Sequence, residues 1–291
     1  MTIFFMIFGD KTVYHVQAYL SIRSFQKQMK EYDRIVVITT HPEFYASCGT
    51  DVIKVTDEKI KEWQGERNFF WRAKIKAIEY MSNQYPDDHL IYLDTDTFLY
   101  GSLDAMRSLL DQGHGMMHLK EGHPSTMMTR SLRMWKQIAG KQYGGITMGM
   151  EHEMYNAGVV ALPKEKAKSI ASLALALCDG MLEDDVERIV IEQYSLSIAL
   201  FEQTQLLECD QFIGHYWGNK PEWESLAYNL IANAHMKKMS LADELEQLDF
   251  TRKDLPPIYI HHSSTGRRLK DVIDRLFKDK DHKYINQGKS E

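Results

Sequence analysis

The sequence predicts an α/β fold, a sheet flanked by helices. Along the chain, runs rich in β-branched and aromatic residues alternate with segments of helical periodicity, which is the pattern of strands that alternate with helices. A length of 291 residues with 44% hydrophobic and 26% charged residues suits a globular protein with a large core. Because no repeat, low-complexity stretch or Pro/Gly-rich linker divides the chain, we expect one domain rather than two independent ones.

The predicted strands are short apolar runs bounded by turn residues. They are Ile3–Phe8, Arg34–Thr39, His89–Leu93, Tyr155–Leu162, Leu206–Ile213 and Ile258–His261. The predicted helices have apolar residues at helical spacing, and several begin or end at Asp, Ser, Pro or Gly. They are Val13–Lys30, Asn68–Asn83, Ser102–Asp111, Lys164–Gly180, Asp184–Thr204, Glu222–Gln247 and Leu269–Lys280. The Met- and Gly-rich segment His114–Met150 is weakly periodic and is expected to be an irregular binding loop.

Charge and cysteine content argue against several classes of protein. With 35 Lys+Arg and 41 Asp+Glu the formal net charge is −6, which argues against a protein that coats nucleic acid. Cys48, Cys178 and Cys209 are far apart in sequence, so neither a disulfide framework nor a thiolate zinc site is indicated. The apolar start, Thr2–Phe8, is too short for a signal peptide or a membrane span. We therefore expect a protein of the cytoplasm, a reducing compartment.

Two carboxylates follow one of the predicted strands. Asp94 and Asp96 come directly after His89–Leu93, at the carboxyl end of the strand, where ligands bind in open α/β sheets. If a turn begins here, both side chains can reach one ion, and oxygen ligands of this kind suit Mg²⁺ or Mn²⁺. The alternative is a pair of turn-forming acids. A buried strand that ends in two carboxylates favours the cation site, because a cation compensates their charge.

Two further segments carry polar residues next to apolar ones. Asn156, Ala157 and Gly158 precede a buried strand, where the amide can bind a ligand and the small residues allow its close approach to the backbone. An ordinary turn explains them equally well. Glu192 and Gln193 lie in a mostly apolar helical stretch and need polar partners, which are either sugar hydroxyls or neighbouring backbone.

In their order and spacing, these segments resemble the GT-A class of nucleotide-sugar glycosyltransferases. Within that class they are similar to the family 8 retaining enzymes, which include glycogenin and bacterial lipooligosaccharide galactosyltransferases. The first strand and the segment Tyr14–Ser24 also look like the nucleotide-binding start of that family. The resemblance covers roughly residues 1–265. It implies a GT-A-like, Rossmann-type mixed sheet flanked by helices, in a single two-lobed catalytic domain over residues 1–266. The nucleotide-binding half would be at about 1–105 and the acceptor half at about 106–266.

The resemblance also implies roles for individual residues. Asp94 and Asp96 would bind Mn²⁺ or Mg²⁺ together with the donor diphosphate and ribose. Gln193, Glu192 and Asn156 would be the catalytic residues and, with Ala157, line the pocket for donor sugar and acceptor; the family usually has Asp where Glu192 stands. Other donor contacts would come from Phe8, Gly9, Asp10, Thr95 and either Arg72 or Lys74.

The third metal ligand of the family is a histidine in a His-x-x-Gly-x-x-Lys motif, and this chain offers two departures from it. One is His215 with Gly218 and Lys220, one residue short between Gly and Lys. The other is the pair His261–His262 followed by Gly266, better placed in chain order but without the lysine. The spacing favours His215 as the metal ligand. The resemblance also implies that Gly218, Lys220 and His262 contact the donor.

The implied activity is transfer of a sugar, of hexosyltransferase type, from a nucleoside-diphosphate sugar to a hydroxyl acceptor with retention. UDP is the expected nucleotide, and a carbohydrate or a glycolipid is the expected acceptor. A haloacid-dehalogenase-like phosphatase is an alternative, with Asp94 as nucleophile and Asp96 as general acid. That class needs a later strand that ends in paired acids, whereas Asp184 and Asp185 lie at a predicted helix start. An inactive nucleotide-sugar-binding protein is a second alternative.

The chain changes in character after residue 266. Residues 267–291 hold eight Lys+Arg and five Asp+Glu, and apolar residues recur there at helical spacing. The pattern predicts a basic amphipathic helix. Such a helix either packs against its own domain or makes peripheral contact with an anionic membrane, which would suit a lipid-linked acceptor.

Overall fold

The computed structural model describes residues 1–127, 129–250 and 252–260, together with Leu269, Val272, Ile273 and Leu276. The strands are β1 (Thr2–Ile7), β2 (Arg34–Thr39), β3 (Asp51–Lys54), β4 (Leu90–Leu93), β5 (Thr97–Leu99), β6 (Gly115–Met117), β7 (Lys120–Gly122), β8 (Gln142–Tyr143), β9 (Ile146–Thr147), β10 (Met154–Tyr155), β11 (Val159–Leu162), β12 (Leu206–Glu208) and β13 (Ile213–His215). The α-helices are α1 (Thr12–Gln26), α2 (Asp57–Gln64), α3 (Arg72–Gln84), α4 (Leu103–Asp111), α5 (Thr129–Ile138), α6 (Lys164–Glu183), α7 (Ile191–Gln203), α8 (Lys220–Lys237) and α9 (Leu241–Gln247).

In the described part of the chain, seven strands form one mixed sheet in the order β12-β6-β11-β4-β1-β2-β3. β1 pairs in parallel with β2 and β4, and β2 with β3, whereas β11 is antiparallel to both β4 and β6. Successive residues of β1 point to opposite faces: Phe4 packs with α3, α6 and α7, while Phe5 packs with α1 and α4. The predicted fold class, a mixed sheet flanked by helices, is confirmed.

Short antiparallel ribbons outside this sheet place the functional residues. β5 pairs with β13, and β7 pairs with β10. Behind β13, a third apolar cluster joins one side of α1 to the two helices α8 and α9, with the ring of Trp223 stacked on Phe98 and Tyr216. This cluster fixes the chain on both sides of the connection from β13 to α8.

The structure differs from the sequence predictions at several boundaries. The predicted strand Tyr155–Leu162 is interrupted at residues 156–158, and Leu206–Ile213 is divided into β12 and β13. The predicted helix Glu222–Gln247 breaks after α8, where Lys238 adopts a left-handed φ of 51°, and Ser240 then caps α9 through a capping box. The expected loop His114–Met150 contains strands β6 to β9 and the helix α5.

The chain divides into two compact units, Met1–Ile258 and Tyr259–Glu291. The predicted boundary at residue 266 and the division at about residue 105 stay predictions. In the second unit, Leu269, Val272, Ile273 and Leu276 are helical and their side chains are exposed. Among the helices that the structure describes, none has the length and apolarity needed to span a bilayer.

Candidate functional site

The end of β4 determines where Asp94 lies. β4 is buried along its length between β1 and β11, so the chain can turn only where the strand ends. The Asp94 amide donates a hydrogen bond of 2.8 Å to the carbonyl of Gly158, which directly precedes β11. The antiparallel β4–β11 pair therefore brings the segment 156–158 next to the first carboxylate.

A second pairing brings a histidine to Asp96. β5 begins one residue after Asp96, and β13 pairs with it so that His215 lies opposite Thr97. The amide of Tyr216 donates to the carbonyl of Asp96 at 3.0 Å, which continues the ribbon. As a result, His215 Nε2 lies 3.3 Å from Asp96 Oδ1.

Asp94, Asp96 and His215 form a group that could hold a metal ion. Each offers one ligand atom, and the three atoms lie within 4.8 Å of one another. Asp96 and His215 are only 4% and 6% exposed, and Asp94 is half-buried. Two carboxylate oxygens and an imidazole nitrogen are a donor set suited to Mn²⁺ or Mg²⁺ with positions left for other ligands. The residues present thus fit the cation that the sequence implied.

Lys220 places an ammonium group beside Asp96. It is the first residue of α8, and its Nζ lies 2.8 Å from Asp96 Oδ2. Burial alone would raise the pKa of Asp96, but the His215 ring and the Lys220 ammonium outweigh it and hold that pKa below its ordinary value. Asp96 is therefore a carboxylate at neutral pH, the form that binds a cation.

Lys74, near the start of α3, joins Asp94 to Glu192 in the first turn of α7. Its buried Nζ lies 3.2 Å from Asp94 Oδ1 and 3.0 Å from Glu192 Oε1, and it donates to the carbonyl of Ala157 at 3.2 Å. Burial works against the charged lysine, yet Asp94 and Glu192 outweigh it and raise the pKa of Lys74. The Tyr92 hydroxyl donates to Asp94 Oδ1 at 2.9 Å. Asp94 is thus fixed by two donors.

Two cavities adjoin the Asp94–Asp96–His215 group. The larger, of about 590 Å³, is within the size range of small-molecule sites. Its lining is Met6, Ile7, Phe8, Tyr14, Phe70, Trp71, Lys74, Tyr92, Asp94, Thr95, Asp96, Asn156, His215, Trp217 and Lys220. The smaller, of about 280 Å³, is lined by Trp71, Lys74, Asp94, Asn156, Ala157, Gly158, Ile189, Glu192, Gln193 and His215. Because both cavities share Asp94 and His215, a ligand that occupies both would pass the cation site.

The amide side chains of the smaller cavity meet at one carboxylate that the sequence did not single out. Asn156 Nδ2 donates to Glu121 Oε1 at 3.1 Å, and Gln193 Nε2 donates to Glu121 Oε2 at 2.8 Å. Asn156 Oδ1 accepts from the amide of Gly158 at 3.0 Å and lies 3.0 Å from His215 Nδ1. Glu121 thereby connects two of the predicted site residues.

The structure places the other predicted residues in different surroundings. Arg72 forms a bidentate ion pair with Asp179 and lines neither cavity, so Lys74 is the basic residue at the site. Asp10 is almost fully exposed and pairs with His41. The three residues Gly9, Asp10 and Gly218 are not part of either lining, whereas Phe8 and Thr95 are. His261 and His262 lie outside the described residues.

Several residues of the site were not predicted. Glu121 follows no recognisable pattern and reaches the site only because β7 pairs with β10. Trp71, 45% exposed, lines both cavities; the aromatic run Phe69–Trp71 before a helix was the available signal. Buried Gln17 accepts from the Thr95 hydroxyl at 2.8 Å, a contact between α1 and the turn after β4 that no local pattern indicates.

The paired acids of the phosphatase alternative lie elsewhere. Asp184 follows α6, and its carboxylate accepts from Lys141 at 2.9 Å and from the Tyr143 hydroxyl at 2.8 Å. Neither Asp184 nor Asp185 lines the two cavities. Glu192 is instead the carboxylate that shares a partner, Lys74, with Asp94.

Comparison with known proteins gives a limited result. No family model matches the chain, and no curated protein matches it. Solved structures do match, and one of them is mouse xyloside xylosyltransferase 1 in its apo form. That structure shares 11% sequence identity with a TM-score of 0.46, over 72% of this chain and 85% of that chain. At this identity and TM-score the similarity carries no functional argument, so function has to be inferred from the site geometry.

Proposed function

We propose that the protein is a metal-dependent glycosyltransferase that moves a sugar from a nucleoside-diphosphate sugar, such as a UDP-sugar, to a hydroxyl acceptor. The observation that carries this proposal is the position of Asp94, Asp96 and His215, which meet where the two cavities adjoin. The larger cavity has room for a nucleoside diphosphate. The smaller one has the amide and carboxylate groups that hydrogen-bond to sugar hydroxyls.

The side chains suit the departure of a diphosphate. Asp94, Asp96 and His215 would hold Mn²⁺ or Mg²⁺, which stabilises negative charge on diphosphate oxygens when it is bound. Lys220, a half-buried residue that lines the larger cavity, supplies a second positive charge to the same leaving group. The aromatic side chains of the larger cavity, including Phe8 and Trp71, provide apolar surface for the base or a sugar ring and exclude water.

The residues of the smaller cavity suit the sugar and its acceptor. The Gln193 amide lies at this cavity, and we assign it to the reacting face of the sugar, with Asn156 and Ala157 lining the same pocket. Glu192 is committed to Lys74, and burial raises its pKa despite that partner. We therefore assign Glu192 to the support of Lys74 and Asp94. The resemblance to the family 8 enzymes implies that the transferred sugar is a hexose and that its anomeric configuration is retained. Both properties are part of the proposal.

A donor screen tests the proposal. Purified protein with Mn²⁺ is incubated with the common nucleotide sugars, and release of nucleoside diphosphate is measured with and without a chelator. We expect release from one class of donor, abolished by the chelator and by Asp96→Ala. Release that Asp96→Ala retains would contradict the assignment. An aspartyl phosphate trapped on Asp94 would support the phosphatase instead, and donor affinity without turnover would support an inactive binding protein.

The C-terminal segment, residues 267–291, suggests a class of acceptor. The exposed apolar side chains Leu269, Val272, Ile273 and Leu276, within a segment rich in Lys and Arg, suit peripheral contact with an anionic membrane and a glycolipid acceptor. Flotation with anionic liposomes, with and without residues 267–291, tests this part separately. Loss of flotation on truncation supports membrane contact, and equal behaviour of both forms contradicts it. We further propose that the protein acts in the cytoplasm.

A further inference from the structure

The side chain of Gln193 has a single hydrogen-bond partner among the described residues. Gln193, which we place at the reacting face of the sugar, donates through Nε2 to Glu121 Oε2 at 2.8 Å. A carboxylate can only accept, so Glu121 requires the nitrogen of this carboxamide on its side. The oxygen Oε1 is then the polar atom that Gln193 can offer to a ligand in the smaller cavity, which it lines. The orientation of the Gln193 carboxamide therefore depends on Glu121.

The other carboxylate oxygen of Glu121 binds a carboxamide whose orientation is fixed elsewhere. Asn156 Nδ2 donates to Glu121 Oε1 at 3.1 Å. Asn156 Oδ1 accepts from the backbone amide of Gly158 at 3.0 Å, and a backbone amide can only donate. Asn156 thus presents its nitrogen to position 121 whatever residue stands there. Two donors, from Asn156 and from Gln193, hold the Glu121 carboxylate in place.

The orientation of Gln193 has a consequence for the proposed reaction. When the diphosphate departs, positive charge develops at the sugar carbon to which it was bound. A carboxamide oxygen carries partial negative charge and stabilises such a carbon, whereas the NH₂ group carries partial positive charge and opposes it. A reversed Gln193 carboxamide would therefore work against the step that its oxygen assists.

We propose that Glu121 is a positioning residue that keeps the oxygen of the Gln193 carboxamide available to the reacting sugar. The inference rests on the proposed function and adds to it a residue that acts through another one. Glu121 has this effect because it cannot donate a hydrogen bond. A side chain of the same size that can donate should therefore fail in its place.

Glu121→Gln tests the requirement for a carboxylate without changing the size of the side chain. Because Asn156 presents a nitrogen, the new carboxamide has to turn its oxygen to Asn156. Its NH₂ group then faces Gln193, which has to reverse and offer Oε1 in return. Glu121→Ala, in contrast, removes the partner and lets Gln193 take either orientation. The isosteric variant should thus be at least as damaging as the truncation.

The first readout is the release of nucleoside diphosphate from the donor class found in the screen. It is measured with Mn²⁺ and without an added acceptor, so that no contact with an acceptor contributes. The matched control is Glu153→Gln, the same substitution at a carboxylate that pairs with the neighbouring Lys120. Thermal unfolding checks that each variant is folded.

We expect kcat to fall about 10- to 100-fold in Glu121→Ala and at least as much in Glu121→Gln, with little change in the KM for the donor. Glu153→Gln should match the wild type. In a Gln193→Ala background, neither substitution of Glu121 should cause a further loss, because the effect of Glu121 acts through Gln193.

The second readout is the side-chain NMR signal of Gln193, which does not depend on activity. In ¹⁵N-glutamine-labelled protein this signal is assigned by its absence in Gln193→Ala. An NH₂ group that donates to a carboxylate has a proton shifted downfield. We expect this shift in the wild type and in Glu153→Gln, and we expect it to be lost in Glu121→Gln and Glu121→Ala.

Four results would overturn the inference: a Glu121→Gln variant that is more active than Glu121→Ala, an unchanged kcat in Glu121→Ala, an unchanged Gln193 signal, or an equal loss of kcat in the Gln193→Ala background. The last would indicate a general effect of charge. A wild type that releases no nucleoside diphosphate from any donor refutes the proposed function. In that case the Gln193 signal alone decides whether Glu121 orients this side chain, so failure of the two proposals is distinguishable.

Discussion

At the scale of single residues, the ion pair between Lys220 and Asp96 has the most direct consequence for the chemistry proposed for the site. The ammonium lies 2.8 Å from a carboxylate that is only 4% exposed, and together with His215 it keeps the pKa of Asp96 low against the effect of burial. A divalent cation at the site would share Asp96 with Lys220. In the proposed transferase, the lysine would therefore weaken metal binding and stabilise the leaving group.

Lys220→Ala is predicted to separate those effects. Turnover of the donor should fall by about 100-fold, because one positive charge beside the developing diphosphate is lost. Mn²⁺ affinity should be equal to or higher than that of the wild type, since a competing cation has been removed from Asp96. Steady-state kinetics and Mn²⁺ titration measure the two quantities. A large loss of Mn²⁺ affinity with unchanged turnover would be the opposite of this expectation.

Gly158 matters because His215 packs directly over its backbone. A methyl group at Gly158 would lie 2.2 Å from His215 Cε1, so Gly158→Ala should displace the ring and lower Mn²⁺ affinity at least about 10-fold. At Gly149 the three atoms nearest to the added methyl belong to the carboxylate end of Glu151, which can move away. Gly149→Ala is therefore the matched control. Unchanged Mn²⁺ affinity in Gly158→Ala would show that the ring does not serve as a ligand.

At the residue level, a sequence predicts site residues where local pattern and site chemistry coincide. Asp94 and Asp96 stand out because carboxylates that directly follow an apolar strand are costly without a cation. Arg72 and Lys74 could not be distinguished from sequence, because they are two positions apart on one helix and only packing shows that Arg72 turns to Asp179. Glu121 could not be found at all, since its role depends on two partners that lie 35 and 72 residues away in sequence.

Asp33 joins three elements at the end of the sheet opposite the cavities. It directly precedes β2, accepts two hydrogen bonds of 2.9 and 2.7 Å from Arg107 on α4, and lies 3.5 Å from the amino terminus that leads into β1. Burial alone would raise its pKa, but Arg107, the Lys30 amide and the amino terminus outweigh it and lower the pKa from its ordinary value of 3.8.

A lowered pKa stabilises the folded protein wherever the carboxylate is ionised. Ionised Asp33 contributes fully to the free energy of unfolding at pH values above its ordinary pKa of 3.8. This contribution is lost as the pH falls through the lower pKa that Asp33 has in the folded protein. We expect Asp33→Asn to lower the free energy of unfolding by about 2 kcal/mol at neutral pH and to differ progressively less from the wild type in acid. Urea unfolding as a function of pH measures this. A difference that stays constant into acid would contradict the ionic origin.

At the scale of strands and helices, the sequence does not reveal which distant strands pair with each other. Strands β5 and β13 have three residues each and lie over 110 residues apart, yet their register alone brings His215 to Asp96. The periodicity of apolar residues indicates which face of a segment is apolar, but it does not indicate which strand pairs with that segment. The helix α2 was missed because it is highly charged and buries only Ile60 and Trp63.

At the scale of the molecule, the fold class followed from the alternation of strands and helices, and the site lies where such sheets bind ligands, beyond the carboxyl ends of β1 and β4. The net charge of −6 does not describe the electrostatics of this region. Lys74 and Lys220 face the cavities beside the carboxylates, and a bound divalent cation would add further positive charge. An anionic donor is therefore compatible with an acidic protein.

Binding of Mn²⁺ by the wild type and by Asp96→Asn tests the central claim most directly. We expect one Mn²⁺ bound per chain, with an affinity that rises when a nucleoside diphosphate is present, because the cation and the diphosphate would bind at adjoining positions. Asp96→Asn keeps the size of the side chain but removes its charge, and it should abolish both the binding and the nucleotide effect. Binding that is unaffected by Asp96→Asn, or no binding by the wild type, would contradict the account.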